Sequence, residues 1–120
     1  MLIKRNQKTS DHYCRTLVEN METAVLLFND DLELSAMNPA AEDLLQASAR
    51  RLLGHSHKNV FPFNRECPDI LSDVLHENRA ITEREIRLKL ITGNVITIDF
   101  SATPVNHSRQ DVSEIIVEIT

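Results

Sequence analysis

The sequence predicts an α+β domain: a five-stranded antiparallel sheet with helices over one face, preceded by a further helix. Three observations carry this. Segments of alternating apolar residues stand in two blocks, near residues 24–37 and 86–119. Between the blocks lie segments whose apolar residues recur at helical spacing, with capping residues at their starts. Turn chemistry at Asn29-Asp30-Asp31 and Thr92-Gly93-Asn94 separates consecutive strands closely enough for hairpins, so they pair antiparallel. Helices segregated between strand blocks cover one face of such a sheet.

Residues 1–9 read as a polar tail. Ser10-Asp11 can cap a helix running to about Met21, whose apolar residues Tyr13, Cys14, Leu17, Val18 and Met21 form one stripe. Two uses are open to that stripe: packing onto its own domain, or pairing with its twin in a homodimer through Leu17, Val18 and Met21. The chain thus divides into a tail with an amphipathic helix, residues 1–22, and a domain, residues 23–120. Ala24-Val25-Leu26-Leu27-Phe28 is apolar on both faces, which suits a central strand. In the next strand, Leu32–Met37, Leu32, Leu34 and Ala36 alternate with Glu33 and Ser35.

Asn38 is a good N-cap, because its side-chain oxygen can accept from N–H groups of the first turn. Pro39 follows at a position where its missing N–H costs nothing. Glu42 lies near the positive end of the helix dipole. The helix Ala40–Leu45 presents Ala41, Leu44 and Leu45 on one side. Residues 49–53 add a short turn, and Gly54 suits its C-terminal cap. Residues 55–66 read as irregular. The segment Asn64 to Pro68 leads into a helix to about Asn78, with Pro68 in its first turn and Ile70, Leu71, Val74 and Leu75 on its apolar face.

Three strands follow. Ile86, Leu88 and Leu90 alternate with Glu85, Arg87 and Lys89. Gly93 supplies positive φ in the turn. Ile96, Ile98, Phe100 and Ala102 alternate with Thr97, Asp99, Ser101 and Thr103, and a polar loop, Asn106 to Asp111, leads to the last strand, Ile115–Ile119. The sheet strand stops abruptly at Thr120, as in a module cut from a longer protein.

Composition bounds the function classes. A chain of 120 residues with 42% hydrophobic and 26% charged residues suits one globular domain. Its net charge of −5, without a basic stripe in the sequence, argues against nucleic-acid binding. Lys4, Arg5 and Lys8 form a small basic cluster, more simply a solvated tail than a phosphate contact. No apolar run is long enough for a membrane span, and the start lacks the apolar core of a secretory signal. Cys14 and Cys67 form no C-x-x-C, so reduced thiols and a cytoplasmic setting are expected.

The wording of several segments adds to this. Met21 to Asp31, then Leu32 to Gly54 with Asn38-Pro39-Ala40-Ala41-Glu42 at the strand-to-helix join, resembles the early part of a PAS domain, and the pattern continues to the strand at Ile115–Thr120. The resemblance covers roughly residues 20–120. Within it, S-A-R-R-L-L-G-H-S followed by Val60-Phe61 is most similar to the N-terminal PAS domains of nitrogen-regulation sensor histidine kinases of the NtrB type.

The polar residues offer few candidates for chemistry. His55 and His57, one residue apart, could pinch a metal, but no Cys or carboxylate stands at ligand spacing, and solvated loop histidines are the plainer reading. Some PAS domains bind haem through a histidine on the covering helix; His76 follows the apolar stripe and sits better at the helix end, where the dipole favours it. His76-Glu77 lacks the Asn and Pro that complete a kinase phosphoacceptor box, and Gly54 and Gly93 are the only glycines, too few for a nucleotide loop. Cys67, in R-E-C-P-D, lacks the N-C-R-F-L-Q surroundings of a flavin-binding PAS cysteine and reads as a partly buried packing residue. Glu83 with Glu85 and Asp30 with Asp31 read as exposed carboxylates rather than acid–base pairs. A small-molecule cavity would be lined by Ile70, Leu71, Val74, Ile98 and Phe100. Such side chains gain roughly 1.5–3 kcal/mol each on burial, so filling the space themselves is their simplest use.

The resemblance implies a signal-input domain of a cytoplasmic, homodimeric sensor kinase. It further implies a kinase domain with the catalytic histidine and nucleotide site beyond Thr120, a response regulator as substrate, and modulation by a PII-type signal protein. No catalytic group, cofactor, metal, membrane or nucleic acid is expected for the domain itself. The alternative is a ligand- or cofactor-sensing PAS domain of another kinase or transcription regulator.

Overall fold

The computed structural model describes residues 22–63, 67–106 and 112–120. The expected helix before Met21, with Leu17, Val18 and Met21, lies outside the described residues. Five strands form one antiparallel sheet: β1 (Ala24–Asn29), β2 (Leu34–Met37), β3 (Ile81–Lys89), β4 (Val95–Val105) and β5 (Glu114–Ile119), in the order β2-β1-β5-β4-β3. The chain's first and last described strands are thus neighbours, and β5 holds the centre. Four helices lie between the blocks: α1 (Pro39–Leu45), α2 (Ala49–Leu52), α3 (His57–Val60) and α4 (Ile70–Glu77). The core fills the space between them and the sheet, with Leu26, Phe28, Phe61, Leu71, Val74, Leu88, Phe100, Ile115 and Val117 buried there.

The alternation of each strand decides its faces. On β1, Ala24, Leu26 and Phe28 are buried, whereas Val25 and Leu27 are only half-buried. β1 is therefore an interior strand whose second face is less covered than the apolar run predicts. On β3 the core side is taken by Ile86 and Leu88 and the other side by Arg87 and Lys89, as the alternation requires. The register between β3 and β4 slips between Glu83 and Ile86, and Glu85 takes a left-handed φ of 56°. Its N–H donates to Asp99 Oδ1 at 3.0 Å, which occupies the group the bulge removes from the ladder.

Several elements differ from the sequence expectation; β3, for one, begins at Ile81 rather than near Glu85, beyond the bulge. β2 begins at Leu34, because Asn29 Oδ1 accepts from the N–H groups of Asp31 and Glu33 and closes a wider turn. Leu32 sits inside that turn with φ 59° and its side chain buried. α4 begins at Ile70, not at Pro68: Asp69 is its N-cap, accepting from Ser72 N. The segment expected to be irregular contains α3, with Ser56 as N-cap.

Asn38 joins the two layers. Its side chain is buried; Oδ1 accepts from Ala41 N at 3.0 Å, capping α1, and from Val25 N at 2.9 Å. Its Nδ2 donates to Thr23 O at 2.8 Å, and its backbone N–H donates to Val25 O. Removing the amide uncaps α1 and strips a partner from two backbone groups near the start of β1. A cap is worth about 1 kcal/mol, and each backbone group left without a partner in a buried setting about 1–3 kcal/mol. Asn38→Ala is expected to lower the unfolding free energy by at least about 2 kcal/mol in urea titrations. Asn38→Asp, which keeps the acceptor and loses the donor, should not restore the wild-type midpoint.

Candidate functional site

The polar group that the core encloses most fully, apart from Asn38, is His57. It opens α3, which begins where the chain leaves the edge of β2. That edge is sealed by backbone bonds from Gly54 N to Leu34 O, Leu34 N to His55 O and His57 N to Leu32 O. The last of these draws His57 inward. His57 is therefore not a solvated loop residue; only 5% of it is exposed. His55, two residues earlier, is exposed. The two rings occupy different environments and do not converge.

The His57 ring reaches across to α4. Its Nε2 lies 3.1 Å from Asp69 Oδ2, and since a carboxylate only accepts, Nε2 donates. Asp69 Oδ2 also accepts from Ser72 Oγ at 2.7 Å, while Oδ1 accepts from Ser72 N at 3.2 Å. One carboxylate thus caps α4 and pins it to α3. Burial by itself would raise the Asp69 pKa; the hydrogen bonds from Ser72 and His57, with attraction to the His57 ring, outweigh it and hold the carboxyl below its usual value. Cys67 is a fully buried thiol two residues away. Burial, then the Asp69 charge, pushes its pKa up, so it stays protonated and unreactive at neutral pH.

The chain's four phenylalanines gather beside this pair. Phe61, just past α3, meets Phe28 of β1 at 6.0 Å between ring centroids, Phe100 of β4 at 5.3 Å edge-on, and Phe63 at 5.8 Å. Phe63 also packs on the His57 ring at 5.5 Å. Such contacts add about 0.5–1.5 kcal/mol each beyond burial. Phe61 therefore touches both β1 and β4.

The five residues expected to line a cavity, Ile70, Leu71, Val74, Ile98 and Phe100, are all buried in the core where α4 meets the sheet. His76 is exposed in the last turn of α4, its Nδ1 donating to Ser72 O at 2.9 Å. Asp30, Asp31, Glu83 and Glu85 are exposed. Among the described residues no group of three or more His, Cys, Asp or Glu side chains is arranged to hold a metal, and no helix is long and apolar enough to cross a membrane. Sequence reading missed the His57–Asp69–Ser72 network. One signal was available: Asp69 followed three residues later by Ser72 is capping spacing. Nothing local pointed from His57 to Asp69.

Because the folded pKa of Asp69 is depressed, its ionisation stabilises the fold. That contribution is fully present above the ordinary value of 3.8 and is lost as pH falls through the lower folded value. Asp69→Asn is expected to unfold at lower urea than wild type at neutral pH. Its midpoint should also change less steeply across the carboxylate range, as a urea series at stepped pH would measure.

A family model, the PAS fold, matches residues 13–120. The sensory histidine kinase/phosphatase NtrB of Vibrio alginolyticus is 26% identical over 94 residues, 78% of this chain. The chain spans about a quarter of that relative's length (27%). The PAS domain of nitrogen regulation protein NR(II) from Vibrio parahaemolyticus superposes with a TM-score of 0.69 at 24% identity, covering 88% of this chain and 94% of that one. An RNA-binding light-oxygen-voltage receptor gives a TM-score of 0.78 at 19% identity, over 92% of this chain and 32% of that one. These two structures share the fold.

Proposed function

We propose that this chain, which belongs to the PAS family, is the signal-input domain of a two-component sensor histidine kinase of the NtrB type. The observation that carries the reading is the alignment with a sensory histidine kinase/phosphatase over 94 residues, the whole length from near the start of the chain through the sheet being PAS-like. In this reading the domain holds two copies of a cytoplasmic kinase together and passes conformational change to it. Kinase and phosphatase chemistry belongs to an output domain elsewhere in the whole protein. A response regulator receives the phosphoryl group, and a PII-type signal protein sets the balance in response to nitrogen supply.

The buried site suits a coupling role better than a catalytic one. His57 and Asp69 are used up in holding α3 to α4, and Cys67 is enclosed. Ile70, Leu71, Val74, Ile98 and Phe100 are buried together, which supports packing in preference to a ligand. The dimer contact is assigned to the N-terminal stripe, Leu17, Val18 and Met21.

Sedimentation of the whole chain tests this. A dimer is expected for the wild type, and Leu17→Glu with Met21→Glu should shift it to monomer while far-ultraviolet circular dichroism keeps the sheet signal. A monomeric wild type, or a double variant that remains dimeric, refutes the assigned contact. Native mass spectrometry on the same sample should give the mass of the polypeptide alone. A copurifying small molecule would move the reading to a ligand-sensing PAS domain.

A further inference from the structure

The net charge of −5 conceals a segregation. Between Leu44 and Arg65 the sequence contains no Asp or Glu, and between Ile86 and Ile98 there is again none. The fold joins the two at the β3–β4 turn. Gln46, just past α1, accepts from Thr92 Oγ1 at 2.7 Å and from Asn94 Nδ2 at 3.1 Å, which ties the β3–β4 turn to the α1–α2 junction. Between them lies an open hollow of about 320 Å³ lined by Arg51, Leu52, His55, Asn59 and Ile91.

Two further facts mark this hollow. Leu53, Ile91 and Val95 are the exposed large hydrophobics among the described residues. Ile91 lines the hollow, Leu53 adjoins its lining residue Leu52, and Val95 starts the strand after the same turn. The cations beside it are uncommitted: Arg50, Arg51 and Lys58 are exposed and have no carboxylate partner among the described residues. Of the acids on adjoining segments, Glu42 Oε2 accepts from Ala49 N at 2.8 Å and Glu33 Oε1 from Asn29 Nδ2 at 3.3 Å; Asp43 stays exposed on α1.

We propose that this face docks an acidic segment of a partner protein that carries an apolar anchor: carboxylates against Arg50, Arg51 and Lys58, and a large aliphatic side chain in the hollow against Leu52 and Ile91. Charge complementarity selects the sign of the partner. The exposed Leu53 and Ile91 select a protein over a nucleic acid, since a polyanion track would need stacking aromatics and more cations than stand here. The surface uses no residue of the His57–Asp69 pair or of the N-terminal stripe, so it does not depend on the kinase assignment.

The test uses the whole chain and a labelled synthetic peptide of glutamates interleaved with two leucines. Amide shift perturbations are expected at Arg51, His55, Asn59 and Ile91. Anisotropy titrations should show binding weakened about tenfold or more by Arg51→Glu with Lys58→Glu, and by Ile91→Ser, all three being exposed positions. An all-glutamate peptide should bind correspondingly worse. Shifts that map elsewhere, or no binding at millimolar peptide, overturn the proposal. So does equal binding of the leucine-free peptide or of single-stranded DNA, which would make the face a general anion surface. Self-association of the wild type that the same charge reversal abolishes would assign the face to a second copy and overturn it as well.

Discussion

A single buried amide decides how the two layers meet. Asn38 follows directly on β2, caps α1 and holds the start of β1, and it does so with both ends of its side chain and with its backbone N–H. No other residue type offers this set. Aspartate has the acceptor but no donor for Thr23 O, and serine is too short to reach the neighbouring strand and the helix together. Pro39 completes the arrangement by removing an N–H that would otherwise have no helical partner. The direction in which the chain leaves the sheet is fixed here, and every later helix inherits it.

From that point the helical layer is held by links passed from one short element to the next. α1 is seven residues long and α2 and α3 four each, lengths that form no stable helix in water. Each is anchored instead by side chains. Glu42 of α1 accepts from the first N–H of α2. Gln46 ties the end of α1 to the β3–β4 turn. The residues after α2 complete the edge of β2, and His57 at the start of α3 reaches Asp69, the cap of α4. These links are polar and few; the sheet, by contrast, is continuously paired along β1, β5 and β4. Segments with few anchoring contacts open at lower free energy than paired strands. The helical layer is thus the less strongly fastened part of the domain, and the sheet the more strongly fastened.

What the sequence made legible follows from how local each cause is. The strands of β1, β4 and β5, the cap at Asn38, the role of Pro39 and the turn at Gly93 all rest on residues within a few positions, and each is found where the pattern places it. The exceptions have causes that the apolar pattern does not carry, the first two local and the rest distant in sequence. Leu32 leaves the strand because Asn29 closes a wider turn, and α4 starts late because Asp69 has better partners than Pro68. His57 reads as a loop histidine until Leu32 O and Asp69 draw it inward from opposite sides in sequence. The bulge at Glu85 depends on Asp99, fourteen positions away. Charge behaves similarly: the total is a property of composition, but the cationic hollow appears only where the residues after α1 meet the β3–β4 turn.

Phe61 makes the last connection between architecture and role. It sits where α3 ends, and its ring meets β1 and β4 on either side of β5, so a displacement of α3 cannot leave the sheet untouched. α3 in turn is fastened to α4 by one imidazole–carboxylate bond, and α4 lies against β4 and β5. The helical layer thus reaches the central strand β5 through α4. Close-packed interiors shift between discrete arrangements rather than deforming smoothly. A shift of α3 would therefore require Phe61 to repack against β1 and β4.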